Sequence, residues 1–166
     1  MRALIARAAS VAPLVLAFGL VLAPPTPAVA QSHAGACNIT VLELSFGEYD
    51  VFASNRTRAV ARVKVDCGGQ STKIRPTIEL SAGMSQDFGR RTQVSGANVL
   101  VYNIYADQAL SQIVGDGSSG TTVLFPELVG GPGGSLSSVD LYGAIEPRQF
   151  VPPGSYFDTV YVTLTF

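Results

Sequence analysis

Gly154-Ser155-Tyr156-Phe157-Asp158-Thr159-Val160-Tyr161-Val162-Thr163-Leu164-Thr165-Phe166 is the last stretch of the 166-residue chain. Val160, Val162, Leu164 and Phe166 alternate with Tyr161, Thr163 and Thr165, the period-two pattern of a strand with one buried face. Val, Thr, Tyr and Phe suit a pleated surface, so the spacing predicts a β-strand. With the sequence ending at Phe166, no hairpin partner is expected after this strand. The edges of this strand are expected to pair with an earlier strand, with another chain or with nothing, and an open apolar edge is a hazard that proteins usually cover.

The preceding sequence repeats the same kind of unit. Asn38 to Phe46 alternates, with Leu42, Leu44 and Phe46 predicted inward. Arg58 to Cys67 places Ala59, Ala61, Val63 and Val65 on one face and Arg58, Arg62 and Lys64, continued from Arg56, on the other. Lys73 to Ser81 has Ile74, Ile78 and Leu80 inward, and Pro76 within it argues for an edge strand or a bulge, because proline cannot donate to a ladder. Ala82 to Gly96 reads as a long loop or a loop with a short hairpin. Asn98 to Asp107 is apolar on both faces, as in a central strand, Thr121 to Phe125 is short, and Ser138 to Glu146 carries Val139, Leu141 and Ile145. About seven short strands punctuated by Gly, Pro and Asn, with no convincing 3.6-residue period, describe an all-β sandwich or barrel.

Residues 1–30 stand apart. Arg2 and Arg7 precede an apolar run from Val11 to Leu22, and a Pro-rich tail ends in Ala28-Val29-Ala30, the pattern of a secretory signal peptide cleaved before Gln31. The run is shorter than the roughly 20 residues of a membrane span. Gln31 to Ala36 is then a short polar leader, and the domain is expected over 37–166. The remaining 136 residues suffice for one domain with its own core. Nine basic residues face twelve acidic ones in it, a balance that argues against nucleic acid as partner. Cys37 and Cys67 form an even pair in a chain that leaves the cytoplasm and read as one disulfide. Lipidation of Cys37 is the alternative, although Ala34-Gly35-Ala36 lacks the expected leucine and Cys67 would be left as a free thiol.

Catalytic chemistry has little to draw on. The one histidine, His33, lies in the leader, the cysteines are better used in a disulfide, and neither zinc spacing nor a phosphate-binding glycine loop occurs. No cofactor and no enzymatic activity are expected. Asp116-Gly117-Ser118-Ser119 lacks the alternating acids of a calcium loop and reads as an Asx-turn. Asn38-Ile39-Thr40 and Asn55-Arg56-Thr57 match a glycosylation sequon only by spacing. The cationic stripe of Arg56, Arg58, Arg62 and Lys64 reads first as a solubilising outer face and second as a surface for an anionic polymer.

An ordered set of motifs adds to this reading: Cys37; Phe46-Gly47-Glu48-Tyr49-Asp50; Val63-Lys64-Val65-Asp66-Cys67; Tyr102-Asn103-Ile104-Tyr105-Ala106-Asp107; Gly115-Asp116-Gly117; Leu141-Tyr142-Gly143-Ala144-Ile145; and Gly154-Ser155-Tyr156-Phe157-Asp158-Thr159-Val160. Together they resemble the spore coat protein U domain family, which includes secreted subunits of archaic chaperone-usher pili; Val114 departs from the aromatic usual before the glycine loop. The resemblance implies an immunoglobulin-like sandwich lacking its last strand, with the Cys37–Cys67 disulfide joining its first two strands. It also implies a strand lent by a periplasmic chaperone and later replaced by a neighbouring subunit at an outer-membrane usher, with Val160, Val162, Leu164 and Phe166 lining the acceptor groove. The leader is too short and polar to serve as a donor strand, which suits a tip, terminal or coat protein that receives a strand without passing one on. A complete monomeric module binding surface glycan or protein through its Gly-rich loops is the second reading.

Overall fold

A computed structural model describes Leu4–Ile5, Ala30–Ala34 and residues 37–68, 75–131 and 134–165. Ile74 and Phe166, expected in a strand and in the groove, lie outside the described residues. Eleven strand segments are present: β1 (Leu4–Ile5), β2 (Ala30–Ala34), β3 (Cys37–Val41), β4 (Thr57–Cys67), β5 (Thr77–Leu80), β6 (Arg91–Ser95), β7 (Asn98–Tyr105), β8 (Val129–Gly131), β9 (Gly134–Ile145), β10 (Thr159–Val160) and β11 (Val162–Thr165). The described residues contain one 3-10 turn, Gly83–Ser85, and no α-helix.

The main sheet runs β2-β3-β4-β9-β7-β6, with β8 folded onto β9, and all its pairs are antiparallel. Its spine is β4 against β9, in register from Thr57↔Ile145 to Cys67↔Ser135. Ala61, Val63 and Val65 are buried while Arg58, Arg62 and Lys64 are exposed, so the sequence alternation sets the inner and outer faces here. The second layer pairs β11 with β5 and extends through an Ile78↔Leu124 bridge. A Val94↔Phe157 bridge ties β6 to the start of the closing strand. Between the layers lie Leu44, Ile78, Leu80, Leu100, Tyr102, Ile104, Leu141 and Ile145, all fully buried. Burying each such side chain is worth roughly 1.5–3 kcal/mol.

Several expectations need correction. Leu42 is 44% exposed, not inward. Cys37, Ile39 and Val41 are buried and then Leu44 and Phe46, so the inward parity shifts by one between Val41 and Leu44 and the regular strand ends at Val41. Gly143 makes room for the displaced pair: a Cβ there would lie 2.7 Å from both Leu44 and Phe46. Pro76 precedes β5, where a missing N–H costs no ladder bond, and β5 has neighbours on both sides. Within 82–96, β6 forms a hairpin with β7 through Gly96, whose φ is +59°. Thr122 and Leu124 make isolated bridges in place of a strand. β7 is central, between β6 and β9, yet Val99 on its outer face is 51% exposed. The leader residues Gln31 to Ala34 lie in β2.

Candidate functional site

The closing strand begins where a set of buried polar groups converges. Asp158 is fully buried; its Oδ2 accepts from the Tyr102 hydroxyl at 2.7 Å, and its Oδ1 accepts from the Met84 N–H at 2.8 Å and the Thr159 N–H at 2.7 Å. Gly83 approaches the carboxylate so closely that a Cβ would collide with it. Burial, followed by the Asp158 charge and hydrogen bond, pushes the Tyr102 phenol well above its ordinary range. Arg91, also fully buried, donates from Nη1 to Asn103 Oδ1 at 2.7 Å, from Nη2 to the Ser81 and Val114 carbonyls, and from Nε to Ser81. Burial lowers its pKa, and the Tyr102 and Asp158 charges act in the opposite sense. The network joins β6, β7, the 81–84 segment and the closing strand, satisfying charges that would be costly if left unpaired.

Beyond this anchor the strand alternates. Tyr161 exchanges bonds with Ser81: its carbonyl accepts from the Ser81 N–H, and its N–H donates to Ser81 Oγ, both at 2.9 Å. Phe157 likewise exchanges both backbone bonds with Val94. Successive backbone groups of a strand point to opposite sides, so those of Val160, Val162 and Leu164 face the edge away from β5. Among the described residues only β1 pairs on that edge, parallel, with Leu4↔Thr159 and Ile5↔Val160. Val160 is buried and Val162 and Leu164 are half-buried against the core, whereas Tyr161, Thr163 and Thr165 are exposed.

The other motif residues are structural supports. Phe46 packs edge-on against Tyr102, ring centroids 5.8 Å apart, and Gly47 turns the chain at φ +67°. The Tyr49 hydroxyl donates to the Glu146 carbonyl and accepts from the Gln149 N–H, each at 2.8 Å. Asp50 accepts from the Phe52 N–H, and Asp107 caps the Ser111–Gln112 backbone. Tyr105 is half-buried at the end of β7, and Tyr142 lies half-buried opposite Val60. Tyr156 is buried and donates to the Pro152 carbonyl. Gly154 leaves room for Ser95, whose Oγ would be 2.9 Å from a Cβ there. Cys37 and Cys67 are disulfide-bonded at the ends of β3 and β4.

Arg91 and Gln93 were not visible as inward residues, because polar side chains in a Gly-containing stretch read as loop. Only the register against Leu100 and Tyr102 turns them to the core. Gln93 is fully buried, and neither amide atom finds a partner among the described residues. The cationic stripe is largely engaged: Arg62 grips Asp140 through Nε and Nη2, Arg56 pairs with Glu146, and Arg58 donates to the Gln108 carbonyl. Asp116 accepts from the Ser118 N–H and hydroxyl, an Asx-turn. Away from the Gly-rich loops, Phe52 and Phe150 are 80% and 77% exposed and meet edge-on at 6.3 Å. Phe52 also borders a depression of about 740 Å³ lined by Glu48, Tyr49, Asp50, Pro152 and Tyr156. No helix among the described residues is long and apolar enough to cross a membrane.

Strand order and layering define an all-β, immunoglobulin-like sandwich. The chain belongs to the Spore Coat Protein U domain family, whose profile matches residues 24–163. No curated protein matches it in sequence. Among solved structures it is similar to the CsuC–CsuE chaperone–tip adhesion subunit pre-assembly complex from the archaic chaperone-usher Csu pili of Acinetobacter baumannii. The TM-score is 0.54 at 20% identity, over 78% of this chain and 39% of that one, a likeness of fold.

Proposed function

We propose that this chain is a structural subunit of a bacterial surface assembly, a chaperone-usher pilus or a coat, which receives a β-strand from another protein along the free edge of its closing strand. The observation that carries the reading is the state of that edge. The backbone groups of Val162 and Leu164 face away from β5 without a partner strand among the described residues, and the side chains of both are half-buried over the core. An added strand would satisfy the backbone groups and cover the half-buried Val162 and Leu164 with its own alternate side chains. The parallel seating of Leu4–Ile5 on Thr159–Val160 supports the accessibility of the edge to a strand. The family supports a secreted pilus or coat role, and the similar structure contains a tip adhesion subunit together with its chaperone.

In this reading residues 1–30 are a secretory signal, the protein passes through the periplasm, and its partners are a periplasmic chaperone, an usher and other subunits. Periplasmic expression with and without a candidate chaperone tests it. The expected outcome is a soluble one-to-one complex with the chaperone and a less stable, aggregation-prone chain without it; a chain that is as stable and as monomeric alone as in the presence of the chaperone would contradict the reading. A second reading, a monomeric binding module, draws on the exposed Phe52–Phe150 pair and the adjoining depression. It predicts that Phe52→Ser with Phe150→Ser abolishes ligand binding and leaves solubility without a chaperone unchanged.

A further inference from the structure

The closing strand is not the only place where the sheet could be extended. In β3 the Leu42 N–H that follows the strand donates to the Arg62 carbonyl, so even-numbered backbone groups turn toward β4 and those of Cys37, Ile39 and Val41 turn away. That outward side is covered by β2, in antiparallel register from Ala30↔Val41 through Ser32↔Ile39 to Ala34↔Cys37. Only residues 35 and 36 connect the two strands, and the Cys37–Cys67 disulfide fixes the base of the hairpin to the end of β4. The strand this places at the sheet border is short, and its centre is polar, Gln31-Ser32-His33. Short, polar border strands are one of the ways in which proteins make a sheet edge unattractive to other chains.

We infer that the leader is an intramolecular edge cap: Gln31 to Ala34 close the outer side of the first strand against pairing by a second copy of this chain. A two-residue connection keeps the leader at a far higher effective concentration than any separate chain, so it holds the edge without a strong sequence of its own. Cleavage before Gln31 leaves four of its five residues in place. This role explains a leader that is poor as a donor strand, and it concerns β3, so it does not depend on what the closing strand receives.

Hydrogen exchange and light scattering on the purified protein, in complex with its chaperone if that is required for solubility, test the cap. The wild type is compared with Ser32→Pro, which removes a ladder bond to Ile39, and with a variant lacking residues 32–35, which keeps Gln31 at the cleavage junction. In the wild type the Ile39 amide, opposite Ser32, is expected to exchange slowly, like those of Asn38 and Thr40, which face β4. In both variants Ile39 should exchange at least about tenfold faster while Asn38 and Thr40 remain slow, and the variants should self-associate with rising concentration. Fast exchange of Ile39 in the wild type would overturn the inference, a result that needs no variant to fold. Unchanged exchange or an unchanged oligomeric state in folded variants would overturn it as well.

Discussion

At the Asp158 carboxylate three donors converge on a group that has no access to water. Asp158→Ala would strand the Met84 and Thr159 N–H groups and the Tyr102 hydroxyl, and is expected to destabilise the protein by about 3–5 kcal/mol. Tyr102→Phe removes one bond to the charged group and should cost about 1.5–3 kcal/mol in urea denaturation. The raised phenol pKa has a pH signature. The unfolded chain ionises Tyr102 near 10.0 while the folded chain resists, so this contribution is intact below pH 10 and is lost as the pH climbs above it. Denaturation midpoints should therefore fall less steeply above pH 10 for Tyr102→Phe than for the wild type. Gln93 gives the opposite prediction. Its buried amide, without a partner among the described residues, makes Gln93→Met neutral or stabilising, by up to about 2 kcal/mol, measured the same way.

At the scale of elements, alternation was legible wherever one face is apolar and the other polar. The β4 pattern and the inward set Val160, Val162 and Leu164 follow from the period-two alternation alone. Alternation failed where the inner face is polar, as at Arg91 and Gln93, and where the period continued past a parity shift, as at Leu42. The pairing of the closing strand with β5 could not be read locally, because register is set by contacts eighty residues apart in the chain. The disulfide was legible from cysteine count and compartment. It closes a 30-residue separation, and replacing both cysteines by serine is expected to lower stability by about 3.6 kcal/mol in the chain-entropy model, read as a drop in the urea midpoint.

For the whole molecule, the motif order in the sequence carries the family and the layered fold, because those residues are mostly the buttresses of the sandwich: Phe46 on Tyr102, Tyr49 on Glu146, and Asp158 on Tyr102. The residues proposed to receive a partner strand carry no such signature, since a half-buried valine in an edge strand reads like any other. The molecule has one strand bolted firmly at its start, through Asp158 and Ser81, and less covered toward its end. Strand addition should therefore order the Val162–Leu164 half most. The most direct test is amide hydrogen exchange at Val162 and Leu164, compared between the chain alone at low temperature and its chaperone complex. The account predicts fast exchange in the free chain and slowing by at least about a hundredfold in the complex, with Tyr161 slow in both. Slow exchange at Val162 and Leu164 in the free monomer, or equal rates in the two states, would contradict it.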